Sequence, residues 1–385
     1  MKKYILAGGM VCLLLLGAGC TDSSTSDVPS QLNVDADTKD TGPIKVGWLG
    51  PLTGDVASVG KDAQKAVELA IEEVNADGGI HGRNLQLVSE DGQCTGKEAS
   101  TAGNKLINVD NVPVIFGGLC SGETLAVAPL AEQFHRVLIS SCSSAPTVTT
   151  AGDYVFRSYP SDVYQGKFIA EYVYSKLGKK KVAILAVLGN WGAGIKSVFT
   201  ERFKELGGEV VLVEDYVQDA RDLKAPLSKI KAAHPGLILF LGYTAEASVA
   251  GLKQAKELGI KVPFFGGDTW DDAKIHESGY AEGIMYAVPN MEAEDASWKD
   301  KMKAKGAHAT VCSPRAYDDV KIVADIMRRV GTDPEKIKQE LYKVKDYPGV
   351  AGPVSFDQNG DLVGGQYDVK IVKDKKSAKA KQQSF

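Results

Sequence analysis

The chain has 385 residues, of which 44% are hydrophobic and 24% charged, the make-up of an ordinary soluble globular protein with length for two domains and a short appendage. Lys and Arg number 45 against 49 Asp and Glu, and the resulting formal net charge of −4 excludes a generally basic surface of the kind nucleic acid requires. Only one long apolar run occurs, at the N-terminus, which excludes a multi-span membrane protein.

That first run has the layout of a secretory signal. Lys2 and Lys3 precede an apolar stretch from Tyr4 to Leu16, and Gly17-Ala18-Gly19 supplies small residues before Cys20. The stretch falls short of the ~20 residues a spanning helix needs. A cysteine after small residues resembles a bacterial lipobox, although the leucine stands four rather than three positions before it. Residues 1–20 are therefore expected to be a lipoprotein signal peptide, with Cys20 lipidated and holding an exported protein on the periplasmic or extracellular face. Ordinary cleavage, or retention as an anchor, is the alternative. Residues 21–43 are rich in Ser, Thr and Asp and too poor in large apolar residues to offset their ordering entropy, so they are expected to form a flexible linker.

From Ile44 onward a short apolar run, a polar loop and a helical pattern alternate. The run IKVGWLG (44–50) precedes a helix from Lys61 with Ala63, Ala66, Val67, Ala70, Ile71 and Val74 on one face, ending at Asp77-Gly78-Gly79. A strand from Leu85, a helix over 97–108, the strand VPVIFGG (112–118), a helix over 123–134 and the strand VLISS (137–141) continue the series. After residues 154–157 come a helix over 163–177, the strand KVAILAVLG (181–189), a helix over 193–206 and the strand EVVLVEDY (209–216). Helices over 223–233 and 245–258 then alternate with LILFLGY (237–243), VPFFGGD (262–268) and GIMYAVP (283–289). The lysine-bearing tail from Lys373 is expected to be a solvated extension, with contact to a membrane surface as the lesser alternative.

Continuous apolar strands alternating with amphipathic helices indicate parallel sheets covered on both faces. About ten strands exceed one compact open sheet, so two doubly wound α/β lobes are expected, with a closed eight-stranded barrel as the alternative. The rhythm breaks at Tyr159-Pro160 and again at Pro289-Asn290, as crossings between lobes would require.

Open parallel sheets bind ligands beyond the carboxyl ends of their strands. Those loops hold Cys120-Ser121-Gly122, the Ser140–Ser144 cluster, Asn190-Trp191, Tyr243 and Asp268-Thr269-Trp270, and they contain neither histidine nor arginine. The inventory suits a small zwitterion. Ser121 and the amides opening the next helix favour a carboxylate, Ser144 and Asp268 an ammonium group, and Trp191, Tyr243 and Trp270 can wall the pocket. Each has a plainer reading: Asp268 and Ser121 as helix caps, the serines as turn formers, Trp191 as packing.

Cys94, Cys120, Cys142 and Cys312 remain outside the signal. In an exported chain an even set suggests disulfides, and three pairings are open. No C-x-x-C pair points to a zinc or thioredoxin-like motif.

The segment GPLTGDVASVG with NADGGIHG after it resembles the leucine/isoleucine/valine-binding protein family, the type I periplasmic binding proteins of ABC importers. So do DGQCTGKEA, GGLCSGETLAVAPLAEQ, LISSCSSAP, the R-S-x-P-S-D-x-x-Q-G pattern from Arg157, GGD at Asp268, AYDDV at Tyr317 and GPVSFDQNGD at Gly352. The resemblance runs from Ile44 to about Lys373. It implies two lobes joined by three hinge strands, here 44–160 plus 288–352 and 161–287 plus 353–385. It implies that Ser121 holds a ligand carboxylate, that the Cys142 backbone and the Ser144 hydroxyl reach the carboxylate and ammonium ends, and that Asp268 partners the ammonium. Trp191 and Tyr243 become walls, and Cys94–Cys120 the disulfide. Val59 stands where some members have an aromatic lid, and Asp268 replaces a longer Glu. Cys142 and Cys312 are extra to the pattern, with Cys312 expected at the pocket edge on the second lobe. They are expected as two free buried thiols, the alternative being a bond that locks the lobes.

The implied function is a monomeric binding component that needs no cofactor and delivers an amino acid, branched-chain or similar, to an ABC permease. A sensor of the same fold for an amide, urea or other small molecule is the alternative. An enzyme lacks a starting point: GNWGAG (189–194) does not match G-x-G-x-x-G, no G-x-S-x-G or H-E-x-x-H occurs, and the five histidines are scattered.

Overall fold

The computed structural model describes residues 42–380 other than 292 and 294; the signal, Cys20 and most of the linker lie outside the described residues. Strand β1 (Ile44–Gly50) buries Val46, Trp48 and Leu49 completely. It leads into helix α1 (Ala57–Ala76), whose small and branched residues from Ala63 to Val74 turn inward. Next come β2 (Leu85–Asp91), α2 (Gly96–Asn108), β3 (Val114–Gly117), α3 (Ser121–Gln133), β4 (Val137–Ser140) and β5 (Val155–Arg157). These strands form a parallel sheet in the order β2-β1-β3-β4-β5, with helices on both faces.

The chain then builds a second sheet. Helix α4 (Asp162–Glu171) is followed by β6 (Lys181–Val187), α5 (Asn190–Glu205), β7 (Glu209–Tyr216), α6 (Lys224–Ala232), β8 (Leu237–Leu241), α7 (Ala245–Glu257), β9 (Phe264–Gly266), α8 (Ala273–Glu277) and β10 (Met285–Pro289). It returns to cover the first sheet with α9 (Ala296–Ala304), α10 (Ser313–Val330) and α11 (Pro334–Leu341), and α10 packs along α1. A last passage supplies β11 (Tyr367–Lys373) and β12 (Lys376–Lys379), completing the order β12-β11-β10-β9-β8-β6-β7. Among the strand pairings of the described residues, only β10–β11 and β11–β12 are antiparallel. Each sheet has its own core: Trp48, Phe116, Phe156, Trp298 and Phe356 in the first lobe, and Phe199, Phe203, Phe240, Phe265 and Trp270 in the second. Each such ring withdrawn from water contributes about 1.5–3 kcal/mol, so each lobe has the means of its own stability.

The chain passes between lobes after β5, after β10 and before β11. The passages lie together: the Arg157 amide donates to the Gly360 carbonyl (2.9 Å) and the Asn290 amide to that of Gln366 (2.8 Å). Two of these passages run close to Tyr159-Pro160 and Pro289-Asn290. The expected third handover at residue 352 falls later. Val354, Phe356 and Leu362 are apolar and pack into the first core, so the chain leaves this lobe only after Leu362. The tail expectation is also corrected. Asp374 and Lys375 turn the chain with positive φ, and 376–379 pair with β11 as an edge strand, where Lys376 and Lys379 are exposed to solvent.

Candidate functional site

The carboxyl ends of both sheets face one another across a cleft, and the lobes meet there. The Cys94 sulfur lies 3.2 Å from the Tyr243 hydroxyl, and Asp55 pairs with Arg221 at 2.5 Å. Between them is a cavity of about 160 Å³ lined by Cys94, Cys120 and Gly122 from one side and Asn190, Trp191 and Tyr243 from the other. Gly189 lets the chain turn from β6 into α5 at φ 127°, a conformation L side chains rarely adopt. The turn delivers Trp191 to the cleft wall, its ring 5.2 Å from that of Tyr243.

Ser121 opens α3, yet it does not cap its own helix. Its Oγ accepts the amides of Ser144 (3.2 Å) and Ala145 (3.1 Å) across the loop after β4. With both lone pairs engaged, its proton is directed outward to an acceptor. Ser144 has the opposite polarity. Its hydroxyl donates to Asp162 Oδ2 at 2.9 Å, which leaves its oxygen to accept. The other serines do form the turn: Ser140 Oγ accepts the Ser143 amide, and the Ser143 and Thr124 hydroxyls bond each other at 2.7 Å. Arg157, wholly buried, fastens this loop by donating to the carbonyls of Ser144 and Ala145, and its charge is met by Asp361 at 2.7 Å.

Asp268 follows β9 in the second lobe and is buried. It accepts the Tyr159 hydroxyl at 2.8 Å and the amide of Thr269 at 3.0 Å, whereas α8 is capped by Asp272, whose side chain accepts the Lys274 amide at 2.7 Å, so Asp268 is not the cap of that helix. Burial raises its carboxyl above the usual range, against the pull of the Tyr159 and Thr269 hydrogen bonds. Asp162 is raised well above its ordinary value, first by burial and then by the Asp268 charge. Glu123, wholly buried, takes the amides of Cys94 (2.8 Å) and Cys120 (2.9 Å), and burial pushes it up to about 7. Three buried carboxyls, Glu123, Asp162 and Asp268, thus act on the Tyr243 hydroxyl, and the cation Arg157 beside Asp162 is already matched by Asp361. Such a grouping favours a cationic guest.

The structure brings Ser121, Ser144, Trp191, Tyr243 and Asp268 to one cleft, and Cys142 to the edge of the same loop. Trp270 is not a wall. It is fully buried, edge-on to Phe240 at 5.5 Å, and fits because a Cβ on Gly266 would stand 2.5 Å from its ring. Val59 is in the first turn of α1 and packs on the first core rather than sitting in a loop. The expectation of free thiols is overturned. Cys94 bonds Cys120, and Cys142 bonds Cys312, with Cα separations of 5.4 and 5.2 Å. Cys312 caps α10 inside the first core, so this second bond lies within one lobe and cannot lock the two together. Among the described residues no cluster of three or more His, Cys, Asp or Glu side chains is arranged to hold a metal ion.

Sequence reasoning missed Tyr159, Asp162, Gln165, Arg157 and Glu123 as parts of the site. The R-S-x-P-S-D-x-x-Q-G pattern was their signal, since it carries Arg157, Asp162 and Gln165 at the first passage between lobes.

Two α/β lobes, three adjacent passages and a polar cleft between the sheet ends define a two-lobed solute-trapping protein of the type I periplasmic binding protein fold. The family model described as periplasmic binding protein matches residues 43–376, and the chain belongs to that family. It is 28% identical over 334 residues to the leucine-, isoleucine-, valine-, threonine-, and alanine-binding protein of Pseudomonas aeruginosa, covering 85% of this chain and 89% of that one. Among solved structures it is similar to a leucine binding protein from Thermotoga maritima (TM-score 0.79, 27% identity, 88% of this chain and 97% of that one). It is also similar to the branched-chain amino acid transporter substrate binding protein of Streptococcus pneumoniae in complex with isoleucine (TM-score 0.78, 28% identity, 88% and 100%). These relatives bind solutes and are not enzymes, which bears out the non-enzymatic reading.

Proposed function

We propose that the protein captures an α-amino acid, branched-chain or similarly small, between its lobes and hands it to an ABC permease. It works as an exported monomer tethered through a lipid on Cys20 and uses no cofactor. The observation that carries this reading is the pair of opposed hydroxyls: Ser121 with its proton to give, Ser144 with its oxygen to accept, set beside the buried Asp268. A zwitterion satisfies all three at once, its carboxylate on Ser121 and the Cys142 backbone, its ammonium on Ser144 and Asp268. Trp191 and Tyr243 shape the side-chain end. The relatives named above, whose own ligands are amino acids, support it.

Thermal-shift screening against the common amino acids, urea and short amides tests the class, because a ligand of the folded state raises the melting temperature by mass action. Asp268→Ala should weaken binding of the responding amino acid at least tenfold while the protein stays folded, since losing one partner of a buried ionic contact is costly. Undiminished binding by the variant would refute this placement of the ammonium.

A further inference from the structure

A second cavity, of about 590 Å³ against about 160 Å³ for the one in the cleft, lies at the other end of the second sheet. It falls within the size range of small-molecule sites. Leu237, Phe264 and Met285 form its floor, and they are the first residues of the parallel strands β8, β9 and β10. The carboxyl ends of those strands face the cleft, so this cavity belongs to the opposite end of the lobe. Half-buried Ile260 and Tyr280 add apolar walls. After α4 the chain widens into a π-helical turn over Tyr172–Lys176, closed by the Leu177 amide on the Tyr172 carbonyl at 3.0 Å. Turns of this kind are rare and occur mostly at functional sites. This one sets Lys176 and Leu177 against the cavity.

The rim is cationic. Lys176, Lys179, Lys256 and Lys261 border the cavity, and none of them has an ion pair among the described residues. The Lys256 ammonium stands 5.7 Å from the centre of the Tyr280 ring. Glu282 is the one acid of the lining, and its two oxygens accept the amides of Asp374 (3.0 Å) and Lys375 (3.4 Å). Four ammonium groups around an apolar floor, with the only acid turned to backbone donors, are complementary to an anion carried on an apolar body.

We propose that this cavity binds a fatty-acid-like molecule, a single carboxylate on an alkyl chain of medium length. The chain lies on the floor made by the starts of β8, β9 and β10, and the carboxylate sits among the rim lysines, whose methylene stems extend the apolar cover. A neutral chain of the same length gains the apolar part alone, and a cationic one is repelled. Every lining residue comes from the second lobe, so the site needs neither lobe closure nor the ligand of the cleft. The inference therefore does not rest on the amino-acid reading.

Calorimetric titration of the protein with octanoate, decanoate, 1-octanol and octyltrimethylammonium, each below its micellar concentration, tests the site. Octanoate should bind roughly tenfold more tightly than 1-octanol, the sum of four solvent-facing charge contacts, and octyltrimethylammonium should not bind. Decanoate should bind about tenfold more tightly than octanoate, because each buried methylene contributes roughly a factor of four. Lys256→Gln combined with Lys261→Gln should weaken octanoate about threefold, leaving 1-octanol binding and the melting temperature of the free protein unchanged. Asp268→Ala, altered in the cleft, should bind octanoate as the parent does. Equal affinity for octanoate and 1-octanol, or undiminished octanoate binding by the lysine variant, overturns the proposal. So does loss of octanoate binding in Asp268→Ala, which would place the carboxylate in the cleft. Failure of both carboxylates to bind overturns it as well. Retention on phosphatidylglycerol vesicles alongside that failure would assign the lysines to a membrane surface instead.

Discussion

Replacing Cys142 and Cys312 together by alanine tests the least expected covalent feature of the structure. The two residues are 170 positions apart in sequence, and all of the second sheet up to β10 lies between them. Closing so long a loop in the unfolded chain removes conformational entropy worth about 5 kcal/mol by the chain-entropy relation, while native bonds deliver typically 2–4 kcal/mol. Cys312 is buried and Cys142 half-buried, so losing two sulfur atoms adds roughly 1 kcal/mol of lost packing. At about 2 °C per kcal/mol for a chain of this size, the first lobe should melt roughly 5–10 °C earlier. Because both ends belong to one lobe, ligand affinity should stay within about threefold at a temperature where both proteins are folded, which a lock between lobes would not allow. A scanning melt, ligand titration and a thiol assay under denaturing, non-reducing conditions read all three quantities. An unchanged melting temperature, or thiols titrating from Cys142 and Cys312 in the unreduced parent, would refute the argument.

Arg221→Ala removes the Asp55 contact that joins the lobe rims. Both side chains are substantially exposed, so release of ligand in stopped-flow should quicken by no more than about fivefold, and high salt should quicken the parent equally. Asp319 on α10 is held up at about 8 by burial. Its folded value exceeds its unfolded one, so the native state binds the extra proton, and the resulting stability, full below about pH 4, is lost as pH rises through 8. Urea midpoints should fall across that window, with Glu123 at about 7 and Asp318 at about 6 adding to the decline. Asp319→Asn should flatten the slope, and an unaltered slope would refute this account.

The parts of the fold legible in the sequence were those where one pattern had one structural meaning. KVAILAVLG can only be a strand covered on both faces, and it is β6, wholly buried from Val182 to Val187. Ser121, Ser144 and Asp268 could be assigned to the loops at the cleft because a parallel sheet exposes the loops at its carboxyl ends at predictable places. Trp270 failed that rule for a reason of volume: two glycines elsewhere in the chain, Gly242 and Gly266, make room for its ring inside the core. Asp162 was passed over because its neighbours in sequence, Ser161 and Val163, suggest only the start of a helix. Its meaning comes from Ser144 and Asp268, which lie on other elements. The pairing of Cys142 with Cys312 was hidden because it depends on where the third stretch of chain returns. That return also brings Val354, Phe356 and Leu362 into the first core, beyond the lobe boundary at residue 352 that the family resemblance implies.

The bond between Cys142 and Cys312 has a consequence for the chain as a covalent object. Every loop at the rim and base of the second lobe, from α4 through β10, lies inside the ring it closes. A protease that cuts once in any of those loops opens the ring without dividing the molecule. The nicked protein remains a single covalent species, and its two fragments separate only once a reductant reaches that one sulfur–sulfur bond.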